Sequence, residues 1–400
     1  MRAHFTRSAL AVSLAALAVV AAACGSDNSS SSSTSAAAGG ATTTSRGGGG
    51  GTATDLSKVC PNPLVVQTDW YPETDHWELY AAVDPATADI KGDRTVADLI
   101  DPRSRGKTGI KLEIRNGGPA TQFELPIATM YKDPSILLGY VNTDTAVQFA
   151  KDKPSVAVMA PRESSPQIIM WDPATYPDVT KIADLKAKKA KIRYFKDATY
   201  MAYLIGSGIV DQSQADDSYD GKPDAFVADG GKSAQQGFAT AEPYLYQNEI
   251  KQWGKPVKYQ LVADTGWDYY AEALATKPEN VTKYTDCFKA VVPMFQAAVV
   301  KMQSAPQATE DFIVKVVNTQ NSGWVYSAAE AAAAVKVSLD SKVVSNGPNS
   351  TIGDFADAKV QAVIDKATPI FKAQGTALKD GLKPSDLTTN QFIDMSIGLK

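Results

Sequence analysis

Histidine is almost missing from this chain of 400 residues. Only His4 and His76 occur, so a multi-histidine metal centre is excluded and histidine-dependent chemistry in the main body rests on His76 alone. Cysteine is nearly as scarce. Cys24, Cys60 and Cys287 form no Cys-x-x-Cys pair, which removes zinc ribbons and dithiol redox centres. A surplus of positive charge is also lacking, because 40 lysines and arginines face 44 acids for a net of −4. Nucleic acid has no electrostatic footprint here.

Familiar catalytic and phosphate motifs are absent as well. Ile205-Gly206-Ser207-Gly208-Ile209 has the wrong spacing for a nucleophile elbow, and Asp211 stands where a dinucleotide fingerprint needs its third glycine. The Gly47–Gly51 run is followed by no Lys-Ser/Thr pair. Asp216-Asp217-Ser218-Tyr219-Asp220-Gly221 lacks the ligand series and closing glutamate of a calcium loop. The expectation is no metal, no cofactor and no enzyme.

What is present is globular. Hydrophobic residues make up 44% and charged residues 21%, close to the soluble average, and the length favours two domains or one large one. The long apolar run, Ala9–Ala23, follows Arg2 and Arg7 and ends at Ala21-Ala22-Ala23-Cys24. A charged start, a short apolar core and small residues at the cut make a leader of residues 1–23. It resembles a bacterial lipoprotein signal, which implies acylation of Cys24 and a body held at the outer face of the cytoplasmic membrane; the alternative is an ordinary secretory signal. Residues 24–58, rich in Ser, Thr, Ala and Gly, read largely as a flexible tether. In an oxidising setting Cys60 and Cys287 then remain to pair, the alternative being two separately buried thiols.

From Leu64 onward short β-branched runs alternate with segments of helical period, the pattern of an α/β protein. Expected strands are Leu64–Thr68, Ile110–Arg115, Ile136–Val141, Val156–Ala160, Ile192–Phe195, Ala225–Ala228 and Val257–Ala263. Expected helices include Asp75–Ala82, Thr121–Tyr131, Asp144–Lys151, Tyr200–Ile205, Lys232–Ala239, Val281–Ser304, Ala328–Leu339, Asp354–Gln374 and Asn390–Ile397. Strand ends run into polar turns such as Thr68-Asp69-Trp70-Tyr71, Asn142-Thr143-Asp144 and Lys196-Asp197-Ala198-Thr199. In open α/β sheets ligands gather at such carboxyl ends.

Three segments carry a resemblance. Val65-Val66-Gln67-Thr68-Asp69-Trp70-Tyr71-Pro72-Glu73 with His76-Trp77-Glu78-Leu79-Tyr80, Gly221 to Asp229 with Gln235-Gln236-Gly237-Phe238-Ala239-Thr240-Ala241-Glu242-Pro243-Tyr244, and the tail Asp386 to Asp394 are similar to the solute-binding proteins of the thiamine-precursor and nitrate/taurine/sulfonate cluster, which serve ATP-binding-cassette importers. The resemblance implies a two-lobed α/β periplasmic-binding-protein fold of type II, lobe one being 59–160 and 262–400 and lobe two 161–261, with a helical C-terminal part packed on lobe one. It implies a monomer that hands a small solute to a permease and its cytoplasmic ATPase.

Aromatic side chains collect on the turns and crossings, where stacked rings orient a flat ligand. Asp69, Trp70, Tyr71, His76, Asn142, Thr143, Lys196, Thr199, Tyr200, Glu242 and Trp267 are the candidate ligand contacts. Glu242 would accept from a ring amine, whereas Lys196 would face an anion such as sulfonate. The acids and rings favour a nitrogen heteroaromatic such as a pyrimidine thiamine precursor. The alternatives are an anion, or an enzyme of thiamine-pyrimidine synthesis, which would need clustered cysteines that this chain lacks.

Overall fold

The structure, a computed structural model, describes residues 55–400; the leader, most of the tether and Cys24 lie outside the described residues. The chain enters through β1 (Leu64–Gln67), a run of four buried residues. Its apolar part, Leu64–Val66, fits a strand covered on both faces, and β1 is central, parallel to both of its neighbours. A single-turn segment, Thr74–His76, leads into α1 (Trp77–Ala81). Strands β2 (Asp89–Lys91), β3 (Arg94–Ile100) and β4 (Lys107–Arg115) form an antiparallel edge. In β4 the first six residues alternate exposed and buried, as a strand with one solvated face should.

The chain continues through α2 (Pro126–Lys132), β5 (Ile136–Val141), α3 (Thr143–Phe149) and β6 (Val156–Met159). It then crosses to a second sheet built from β7 (Gln167–Trp171), α4 (Asp184–Lys188), β8 (Ile192–Arg193), α5 (Thr199–Gly206), β9 (Ala215–Asp216), α6 (Asp224–Ala228), β10 (Ala234–Phe238), α7 (Glu242–Asn248) and β11 (Lys258–Leu261). The return crossing ends in β12 (Ala273–Thr276). The first sheet has the order β2-β3-β4-β1-β5-β12-β6 and the second β11-β7-β10-β8-β9. Residues 160–166 and 262–272 are thus the two crossings between two sheets.

Helices α8 (Pro278–Lys283), α9 (Thr285–Ser304), α10 (Gln307–Gln320), α11 (Ala328–Asp340) and α12 (Asp357–Ala373) follow. Helix α9 packs on α1 and β6, and its Ala298 carbonyl accepts from the indole of the fully buried Trp77 at 2.8 Å. Helix α12 packs on α3 of the first lobe and α5 of the second. Cys60 and Cys287, the latter on α9, are joined as a disulfide with Cα atoms 4.9 Å apart. Among the described residues no helix is long and apolar enough to cross a membrane.

Two expected elements are reversed. Ala225–Ala228 belongs to α6 rather than a strand, and Lys232–Ala239 contains β10 rather than a helix. Ala234-Gln235-Gln236-Gly237 has no β-branched residue, so local propensity misleads; pairing with β7 and β8 decides the conformation. Asn390–Ile397 is turn rather than helix. Its groups are taken by tertiary partners: Asn390 Oδ1 accepts from Phe355 N, and Asp394 N donates to Gln296 Oε1. Strands β2, β3, β7, β9 and β12 were not anticipated. Of these β7 and β12 are fully buried, and short buried runs have no periodicity to reveal them.

Candidate functional site: an acidic, aromatic hinge

The two crossings are tied to each other and to the C-terminal helix. Ser164 Oγ donates to Asp268 Oδ1 at 2.7 Å, and Ser165 Oγ to the Tyr269 hydroxyl at 3.0 Å. Lys359 of α12 pairs with Glu163 on the outward crossing and with Asp268 on the return, at 3.4 and 2.9 Å. Adjacent Tyr269 and Tyr270 serve opposite sides: Tyr270 accepts from Ala356 N at 2.8 Å and packs against Phe355.

Arg162 is buried at the outward crossing. Its guanidinium lies 2.7 Å from Glu272 and 3.6 Å from Asp75. Glu78 is buried nearby and accepts from the Tyr140 hydroxyl, while His76, fully buried, stacks at a tilt 5.2 Å from Tyr140. His76 Nε2 stands 3.1 Å from Asp69 Oδ1. Glu73, Asp75, Glu78 and Glu272 are all buried here, against the guanidinium of Arg162 and the imidazole of His76. Burial pushes Glu73 well above the ordinary carboxylate range, helped by Asp75 and Glu272. Burial raises Glu272 too, with Arg162 pulling the other way. Acids in excess of cations inside a protein cost free energy until protons or a positive guest offset them.

Beside this cluster lies an aromatic group. Trp70 meets Tyr71, Phe123 and Trp324, and on the second lobe Phe195, with centroids 5.9 to 6.5 Å away. Tyr71 and Trp324 stack at 5.9 Å. Gly118 adopts φ +57°, and a Cβ there would fall 2.4 Å from the Trp70 ring, so a glycine is needed both for the backbone and for the ring's seat. The lobes touch in other places: Thr240 donates to Asp75 Oδ2 at 2.8 Å, Thr199 to Asp144, and Ser327 to Glu249.

Of the residues named from sequence, Asp69, Trp70, Tyr71 and His76 share this hinge face. Asn142 and Thr143 hold the return crossing, accepting from Glu272 N at 2.8 Å and Tyr270 N at 3.1 Å. Trp267 donates to Asp144 at 3.1 Å and stacks on Tyr203. The Tyr200 hydroxyl donates to Gln236 at 2.6 Å within its own lobe. Glu242 folds back on the backbone N–H of Phe238 at 2.6 Å, and burial pushes it up to about 7. Lys196 is exposed. Glu272, Asp75, Phe123, Phe195 and Trp324 join this face without being among the contacts expected from sequence. Glu272 directly follows the singled-out Tyr269-Tyr270 pair, whereas nothing local marks Trp324.

No protein-family profile matches the chain, and no curated protein does. Solved structures do. A protein from Bordetella bronchiseptica RB50 is similar with 13% identity and a TM-score of 0.55, over 83% of this chain and 96% of that one. The periplasmic aliphatic sulphonate binding protein of Escherichia coli is similar with 14% identity and a TM-score of 0.52, over 85% and 94%. Two α/β sheets joined by two crossings, with a helical C-terminal part on the first, are the type II fold of the periplasmic binding proteins.

Proposed function

We propose that this chain is the extracytoplasmic binding component of an ATP-binding-cassette importer, capturing a nitrogen heteroaromatic solute, neutral or cationic, between its lobes and delivering it unaltered to a permease. Lobe one is residues 59–160 and 262–400 and lobe two 161–261. Cys24 carries the lipid that keeps the monomer at the membrane's outer face. Hinge closure about two crossings is the motion this architecture allows.

One observation carries the choice of solute: Asp75, Glu78 and Glu272 are buried about Arg162, with Glu73 buried beside Asp75 and Glu272, next to the Trp70, Tyr71 and Trp324 rings. A flat, nitrogen-bearing ring satisfies both features, stacking on aromatics and donating to carboxylates. The sulphonate named for the Escherichia coli neighbour does not fit this reading, because Arg162 is already engaged by two acids. A pyrimidine thiamine precursor or related compound does. The alternative of thiamine-pyrimidine synthesis is disfavoured, since it calls for clustered cysteines and Cys60 and Cys287 are bonded to each other.

Melting the protein with a panel of aminopyrimidines, other heterocyclic amines, alkyl sulfonates, taurine and nitrate tests this. A native-state ligand raises the melting temperature by mass action. Nitrogen heterocycles should do so and the anions should not; a shift from an anion alone would overturn the reading.

A further inference from the structure

We propose that Asp69, His76 and Glu272 form a binding site for one first-row divalent transition-metal ion, with zinc as its representative. One imidazole nitrogen and two carboxylate oxygens from these residues lie within 4.8 Å of one another. Scarcity of histidine excludes a multi-histidine centre, but it leaves this mixed set open. Imidazole with carboxylates is a donor set that zinc and its neighbours accept, with three protein ligands and an open position.

The ligands come from separate places that the fold brings together. Asp69 lies in the bend directly after β1, His76 lies seven residues on, and Glu272 arrives on the return crossing. Asp69 Oδ1 and His76 Nε2 are already 3.1 Å apart. Donors around a tetrahedral zinc stand about 3.3 Å apart when each bond is roughly 2 Å. The longest separation therefore shortens by roughly 1.5 Å on binding, a side-chain movement.

A second observation points to a cation. Glu272 is 1% exposed, and among the described residues neither of its carboxylate oxygens accepts a hydrogen bond and the one lysine or arginine paired with it is Arg162, 2.7 Å from Oε2. Asp75 Oδ1 is likewise buried without a donor. Buried carboxylate oxygens normally have partners, and an ion among Asp69, His76 and Glu272 supplies one to Glu272. The Glu272 backbone is held at φ +49° with its N–H on Asn142, so its carboxylate is fixed from the crossing side. Charge is consistent as well. Two anionic ligands match a divalent ion, and Asp75 remains beside Arg162 at 3.6 Å.

Asp69 is the partly open member, its side chain 30% exposed, so the site is reachable from solvent on that side. All three ligands belong to the lobe that carries the first sheet and its return strand. The site therefore does not depend on lobe closure. It shares Glu272 with the solute reading above, and titration with zinc in the absence of any heterocycle tests it separately from that reading.

The test is calorimetric titration of the chelator-stripped full chain with Zn2+, together with zinc-edge X-ray absorption of the loaded protein. The expected result is one ion per chain, a first shell of one imidazole and oxygens without sulfur, and at least tenfold weaker binding in Asp69→Asn and in Glu272→Gln. Circular dichroism and metal-free melting certify that the variants fold. Absence of binding at 100-fold excess zinc over protein, a sulfur or two imidazoles in the shell, or unchanged affinity in folded Asp69→Asn would overturn it. The absorption spectrum needs no variant, so it decides even if Glu272→Gln fails to fold.

Discussion

Thr240 and Asp75 join the two lobes: the threonine hydroxyl donates to Asp75 Oδ2 at 2.8 Å, while Asp75 Oδ1 lies 3.6 Å from Arg162 Nη2. One carboxylate thus links the second sheet's lobe to the buried guanidinium of the outward crossing. Hydrogen bonds to charged groups contribute about 1.5–3 kcal/mol. Thr240→Val should therefore weaken the closed state by about 2 kcal/mol. Small-angle scattering would then register a larger radius of gyration than for the parent; an unchanged profile at all solute concentrations would show that this contact does not set closure.

Acidity should favour the lobe-to-lobe seam. Burial, then Glu249, pushes Glu330 up to about 8, and burial pushes Glu242 up to about 7. Both groups bind a proton more tightly folded than unfolded. Their stabilisation is complete below the unfolded carboxylate range and is lost as pH rises through about 7 to 8. The melting temperature is expected to fall between pH 5 and pH 8.5, and Glu330→Gln to flatten that slope. A melting temperature that climbs across the same interval would contradict the burial argument.

The Cys60–Cys287 bridge closes a loop with a sequence separation of 227. Chain-entropy reasoning assigns such a loop roughly 5 kcal/mol. Reducing the bridge, or replacing both cysteines with alanine, should lower the denaturation midpoint by a corresponding amount, read by urea titration under oxidising and reducing conditions. Coincident midpoints would mean that the reduced chain retains equivalent restraint.

Trp70 rests on Gly118 and reaches Phe195 across the cleft. Trp70→Ala should leave the fold intact and weaken solute retention at least tenfold, measured by equilibrium dialysis. Gly118→Ala should weaken retention indirectly by displacing the indole, at some cost in stability because position 118 has φ +57°. Retention equal to the parent in both variants would remove the ring from the site.

The architecture was legible where a single stretch carried its own signal. Leu64–Val66 and Ile136–Val141 are continuous runs without a polar side chain, save the Tyr140 hydroxyl, and α9 through α12 carry helical period, so strand or helix followed from pattern alone. The β10 segment did not, because Gln235 and Gln236 acquire their conformation from neighbouring strands. The site divides in the same way. Asp69, Trp70, Tyr71 and His76 lie within one turn of sequence and could be grouped from it. Glu272 and Trp324 are about 200 and 250 residues further on, and only the return crossing and the packing of the C-terminal helices bring them near. Burial hides the rest, since an alternation of polar and apolar residues does not show that Glu73, Asp75 and Glu78 all turn inward.

Native mass spectrometry of the chain purified from its own host tests the central claim most directly. The account predicts a co-purifying low-mass nitrogen heterocycle that leaves the protein chemically unchanged and is lost in Trp70→Ala. A bound sulfonate or nitrate, or a compound released with altered mass after incubation, would contradict it.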